Sequence, residues 1–162
     1  MNAMTELLET IAKVPIEKRA ITNHNVLNEA YHYAKPSSFS RGMRIDLNGL
    51  VILLISGTAS IDEQGVSVHI GDFAAQLRRT FKNITALLEA EGATWRDIVR
   101  TSCYLPNIDR DYDEFNRIRT EFFKEQGLDP LPASTGIQAG LCRPELLIEI
   151  EAIAMFRTKT AE

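Results

Sequence analysis

The chain has 162 residues, with 44% hydrophobic and 25% charged residues and a formal net charge of -4. That length suits one domain with a single sizeable core, and the composition is that of ordinary globular proteins. The mild acidity argues against a nucleic-acid partner bound through phosphate neutralisation. No apolar run approaches the roughly 18 residues that span a bilayer, and the mixed, acidic start around Thr5, Glu6 and Glu9 is not a signal peptide.

In residues 5–19, Leu7, Leu8, Ile11 and Ala12 fall on one helical face, and Pro15 ends or kinks that helix. Residues 20–38 are polar and aromatic, with Tyr31, Tyr33 and a Pro36-Ser37-Ser38 turn signal. Met43 to Leu47 alternates like a strand, and Asn48-Gly49 is a hairpin signal. The run Leu50 to Ile55 reads as a strand buried on both faces, continued by Ser56 to Ile61 and a turn at Asp62 to Gly65. Asp72 is placed to cap a helix whose apolar stripe is Phe73, Leu77, Phe81, Ile84 and Leu88, closed by Gly92. A strand is expected over 97–105, then a turn at Pro106 to Asp109. A second helix follows, capped by Asp111 or nearby, with Tyr112, Phe115, Ile118, Phe122 and Phe123 on its apolar side and Gly127 beyond its end. The last two strands are expected over 133–139 and 146–156.

This order fits an α+β fold, one mixed sheet with both helices on one face. The bare face is then either partly exposed or covered by oligomerisation, sheet face to sheet face.

Chemistry-bearing residues gather near the end of the chain. Glu149 and Glu151 lie two apart in the last strand, so they share a face. They sit on a solvated edge, or pair with arginines (Arg44, Arg100), or enter an apolar pocket. There a carboxyl's pKa rises and suits proton donation. Ser134-Thr135 and Ser56-Gly57-Thr58 either satisfy local backbone or line a pocket for a carboxylate or carbonyl oxygen, with the Gly57 amide accessible. Arg143 and Arg41 are surface residues or carboxylate forks. Cys142 reads as a packing residue rather than a nucleophile, and Cys103 and Cys142 as free thiols in a reducing cytoplasm. His24, His32 and His69 are scattered, with no HxxxH, HExxH or CxxC, so no metal site is expected. Neither GxxxxGK[ST] nor GxGxxG occurs, so no nucleotide cradle is signalled.

Several of these residues resemble the Rid family, also called YjgF or reactive-intermediate deaminases. They are Ile55-Ser56-Gly57, Gly71-Asp72 with Gln76, Asn83-Ile84 and Leu87-Leu88, Asp97 to Thr101, Asn116 with Phe122-Phe123, Pro132-Ala133, and Ile148 to Ala154. The resemblance covers about 39–156, and the chain is read as an N-terminal helical extension, 1–38, before a Rid-like domain, 39–162. It implies a chorismate-mutase-like fold and a homotrimer with small-ligand clefts between subunits. It also implies hydrolysis of enamines and imines to keto acids and ammonia, without metal or organic cofactor. Glu149 would position the attacking water, and Ser56 and Asn116 would line the site. The family's carboxylate-binding arginine directly follows Pro-Ala on the penultimate strand; here that residue is Ser134. A serine lacks the charge and the two-pronged donor. The anchor would then fall to Arg143 or Arg41.

A second resemblance is to the C-terminal half of chorismatases. It is carried by Phe39-Ser40-Arg41, Ser56 to Ile61, His69 to Asp72, Gln138-Ala139, Cys142-Arg143, Leu146-Leu147 and Glu149 to Glu151. It implies a glutamate at Glu149 that protonates an enol ether. The expectation is therefore an enzyme acting on a small imine, enamine or enol-ether carboxylate in an inter-subunit cleft, with Glu149 as acid/base. The alternative is a non-catalytic metabolite-binding trimer.

Overall fold

A computed structural model describes residues 16–158. Its strands are β1 (Glu17–Ala20), β2 (Gly42–Leu47), β3 (Leu50–Ala59), β4 (Ile98–Leu105), β5 (Ala133–Gln138) and β6 (Glu149–Arg157). Its helices are α1 (Phe73–Glu89) and α2 (Ile108–Glu125). The six strands form one sheet in the order β1-β2-β3-β6-β4-β5. All neighbours are antiparallel except β4 and β5.

The β2–β3 hairpin turns on Asn48 and Gly49, at φ 53 and 83, the left-handed pair that a two-residue turn of this twist requires. Helix α1 starts where expected, with the Asp72 carboxylate accepting from the Ala75 amide at 2.9 Å. Helix α2 starts earlier than a cap at Asp111 implies. Asn107, not Asp111, is the cap, accepting from the Arg110 amide at 3.0 Å. Asp111 lies inside the helix, buried and paired with Arg110. The helices meet over an aromatic cluster. Phe81 stacks on Phe122 with centroids 4.3 Å apart, and Trp95 stands edge-on to both.

The expectation that Leu50 to Ile55 is buried on both faces is corrected. Val51, Leu53 and Ile55 are buried, but Leu54 points to the other face of the sheet. Leu54, Val99, Ile137 and Met155 are each 38–43% exposed there. The run is continuously apolar because both faces are apolar, although only one is covered among the described residues.

The helix expected within 5–19, ended or kinked at Pro15, lies outside the described residues up to that proline, and the helical character expected for the rest of the extension is corrected. Glu17–Ala20 is a strand that pairs with β2 from Glu17↔Asp46 to Ala20↔Met43. Two forces hold it. Ile21 seats against Gly42, where a Cβ would meet Ile21 Cδ1 at 2.9 Å. Arg19 and Arg44 converge on the buried carboxylate of Glu91, the Arg19 contacts at 2.8 and 2.6 Å. Ile21, Leu27, Ala30 and Tyr33 all enter the core.

Two buried amides set the chain segments that frame the site. Asn83 Nδ2 donates to the Ala59 and Ile61 carbonyls, both at 3.0 Å, fixing the end of β3. Gln76 donates to the Glu145 carbonyl at 3.0 Å and accepts from the Leu147 amide at 2.8 Å, fixing the approach to β6. Each hydrogen-bonds main-chain groups where a strand gives way to a loop.

Candidate functional site

The β3–β6 ladder shifts register between Ile55 and Thr58, and Gly57 sits in that irregularity. Glu149, the first residue of β6, lays its carboxyl over Gly57. A Cβ on Gly57 would lie 2.9 Å from Glu149 Cδ and closer still to Oε1. Only glycine leaves room for the carboxyl there.

Burial raises the pKa of Glu149 above the ordinary carboxylate value of 4.5, the charge of Glu151 raises it further, and Arg41 partly opposes them. Of the readings open for Glu151, pairing with Arg44 or Arg100 is the one the structure does not form. Tyr104 Oη donates to it at 2.9 Å, while Arg44 is held by Glu91 and Asp46, and Arg100 by Thr135. Tyr104 lies directly across the β4–β6 ladder from Glu149, on the open face.

Glu149 and Glu151 line a cavity of about 440 Å³. Phe39, Arg41, Ser56, Gly57, Cys142 and Arg143 also line it, and so do Tyr33, Ser37 and Leu146. Arg41 is 3% exposed and donates through Nε to the Asn28 carbonyl at 3.1 Å. Its guanidinium lies 4.8 Å from the Tyr33 ring centre and 5.2 Å from that of Phe39. Desolvation lowers its pKa to about 10, so it stays charged at neutral pH. Arg143 Nη1 donates to the Gly65 carbonyl at 2.7 Å and to Ser67 Oγ at 3.1 Å. Gly65 has φ +80, and a Cβ there would enter the Tyr33 ring, so one turn braces both Tyr33 and Arg143. The Ser56 hydroxyl is committed to the Ser40 carbonyl at 2.7 Å. Cys142 is exposed and unpaired, and Cys103 is buried.

Two expected site residues, Asn116 and Ser134, lie outside this cavity in the single chain. They are joined to each other instead. Arg119 Nη1 donates to Ser134 Oγ at 3.0 Å, and its Nη2 donates to Asn116 Oδ1. Thr101 Oγ1 also donates to Ser134 Oγ, at 3.1 Å. In the sequence Arg119 is signalled only by a spacing of three from Asn116 on one helix. Tyr33 falls in a polar, aromatic stretch whose sequence carries no chemical signal of its own.

Residues 32–156 match the family model described as Endoribonuclease L-PSP. The chain belongs to that family, also known as YjgF/Rid. It is similar to the 3-aminoacrylate deaminase RutC of Acinetobacter baylyi, at 34% identity over 103 residues, 64% of this chain and 78% of that protein. Among solved structures it is similar to the Rid protein YyfA of Yersinia pestis. Identity is 30% with a TM-score of 0.68, covering 85% of this chain and 98% of YyfA. The E. coli YjgF gene product gives 28% identity and a TM-score of 0.67, covering 86% and 99%. Two helices packed on one face of a mixed sheet are thus the family's fold. Among the described residues no helix is long and apolar enough to cross a membrane.

Proposed function

We propose that the chain is an enzyme acting on a small carboxylate of the imine, enamine or enol-ether type, with Glu149 as acid/base and water as second reactant. The observation that carries this reading is the Glu149 carboxyl, half-buried over Gly57 and held protonated beyond the usual range, at the wall of a cavity with two guanidiniums. Arg143 or Arg41 anchors the carboxylate. Glu149 gives its proton to the nucleophilic carbon of an enamine or enol ether, which leaves the heteroatom-bearing carbon cationic. Water adds to that carbon and gives one proton back to the Glu149 carboxylate; its remaining proton passes to the departing amine or alcohol as the carbonyl forms. The similarity to a named 3-aminoacrylate deaminase supports this chemistry, because 3-aminoacrylate is an enamine carboxylate.

The open apolar sheet face, with Leu54, Val99, Ile137 and Met155, supports a homotrimer closed sheet to sheet. In that assembly a neighbour's Asn116–Arg119–Ser134 cluster completes the cleft. Two unpaired cysteines fit a reducing cytoplasm. A net charge of -4 favours a small-molecule ligand over nucleic acid.

Glu149→Gln tests the assignment, with products followed by mass spectrometry on chorismate, isochorismate and freshly generated amino-acid imines. Turnover should vanish while the oligomer survives; retained activity overturns it. A second reading, a metabolite-binding trimer without turnover, is favoured by Ser134, whose hydroxyl is tied to Thr101 and Arg119. Tight ligand binding with no product from any candidate would select it.

A further inference from the structure

Arg41 is nearly fully buried, yet among the described residues its Nη2 has no hydrogen-bond partner. Among the described residues it forms no ion pair within 4.0 Å, and neither does Arg143. Glu29 and Glu149 act on Arg41 only from a distance. Glu145, the acid nearest in sequence to Arg143, accepts instead from Ser67 Oγ at 2.6 Å. Both guanidinium carbons nevertheless stand within 6 Å of the Tyr33 ring centre, at 4.8 and 5.7 Å. Their mutual repulsion is felt, since Arg143 lowers the pKa of Arg41. A buried donor without a partner is costly, and so are two like charges brought together over one ring. The cavity's volume of about 440 Å³ lies in the range of pockets that enclose ligands well beyond a three-carbon acid, roughly 300–1,000 Å³.

We infer that the cavity takes a small dicarboxylic acid, one carboxylate on Arg41 and the other on Arg143, with the chain between them passing along Tyr33. The inference rests on the proposed function's placement of the substrate and narrows its class. One carboxylate would leave one guanidinium unpaired beside the other. Two would neutralise both, and each would find a planar fork. Glu149, on the same cavity, then faces the body of the diacid rather than an end of it.

Isothermal titration calorimetry on the full chain tests this with isophthalate and adipate against benzoate and hexanoate, their single-acid counterparts. The better diacid should bind at least roughly tenfold tighter than its monoacid. Arg143→Gln should shrink that ratio to within about twofold. Arg41→Gln should do the same where its melting temperature shows that it is folded; the wild-type ratio stands as a test without it. Equal binding of diacids and monoacids, or a ratio unmoved by Arg143→Gln, overturns the inference. If monoacids bind and turnover depends on Glu149, the proposed function survives and only the second carboxylate falls. If no acid binds, both fall.

Discussion

Replacing Gly57 with alanine separates chemistry from folding at the candidate site. The new Cβ would stand 2.9 Å from Glu149 Cδ and 3.4 Å from Cγ. Carbon atoms pack best about 3.5–4.0 Å apart, so the carboxyl must retreat by roughly 0.5–1 Å. The retreat is cheap for the fold, because the obstructing atoms are the far end of a flexible side chain beside a cavity. We expect a loss below about 1 kcal/mol, some 2–4 °C in melting temperature for a chain of this size. It is expensive for catalysis, since a misplacement of about 1 Å costs on the order of a hundredfold in rate. Turnover of the best substrate should fall by that factor in kcat, with KM little changed because neither arginine moves. Steady-state kinetics and a thermal melt decide it. Full activity in Gly57→Ala would refute the claim that Glu149 works from its seat on β3. A melting temperature lowered by ten degrees or more would refute the claim that Gly57 serves the carboxyl rather than the strand.

Activity that needs protonated Glu149 should fall as pH rises through its raised pKa; Glu151→Gln removes a neighbouring negative charge and should move that fall to lower pH in a kcat profile. The same shift bears on stability. Above pH 4.5 and below the folded-state pKa, the folded chain keeps a proton the unfolded chain has lost. Stability from this group therefore declines with pH across that window, and urea midpoints of Glu149→Gln should decline less than those of the wild type. Leu54→Glu should dissociate the proposed trimer in light scattering; an intact oligomer would exclude this face as the interface. Glu91→Ala leaves Arg44 with Asp46 alone and should cost roughly 2–3 kcal/mol in chemical denaturation. It should also speed amide exchange in β1, which Glu91 holds through Arg19.

Much of the fold was legible because its elements carry their own signals. Asn48-Gly49, the Asp72 cap and the apolar stripe of α1 are local, and they formed where the local rules put them. β1 was not legible, because Glu17–Ala20 has no alternation of its own; β2's free edge and the buried carboxylate of Glu91 make it a strand. The start of α2 was displaced because an asparagine after a proline reads as a turn, while Asn107 is the cap that ends that turn. At the site, Glu149 and Gly57 were legible as residue types, but their contact depends on the β3–β6 register shift, which no local pattern encodes. Tyr33 escaped notice because its role comes from Gly65, 32 positions away in the chain and in contact only after folding. Glu151's tyrosine partner likewise depends on the order of the strands.

The pairing of β3 with β6 joins Leu50 to Arg157 and Ala59 to Glu149, closing a loop of about a hundred residues. Contacts so distant along the chain are entropically slow to make. Gly57 belongs to one side of that ladder and Glu149 to the other. A partly folded chain with its hairpin and helices in place but β6 undocked has no seat for the carboxyl. A ligand of the cavity therefore stabilises only chains that have closed this loop, and the return of ligand binding on refolding times the closure itself.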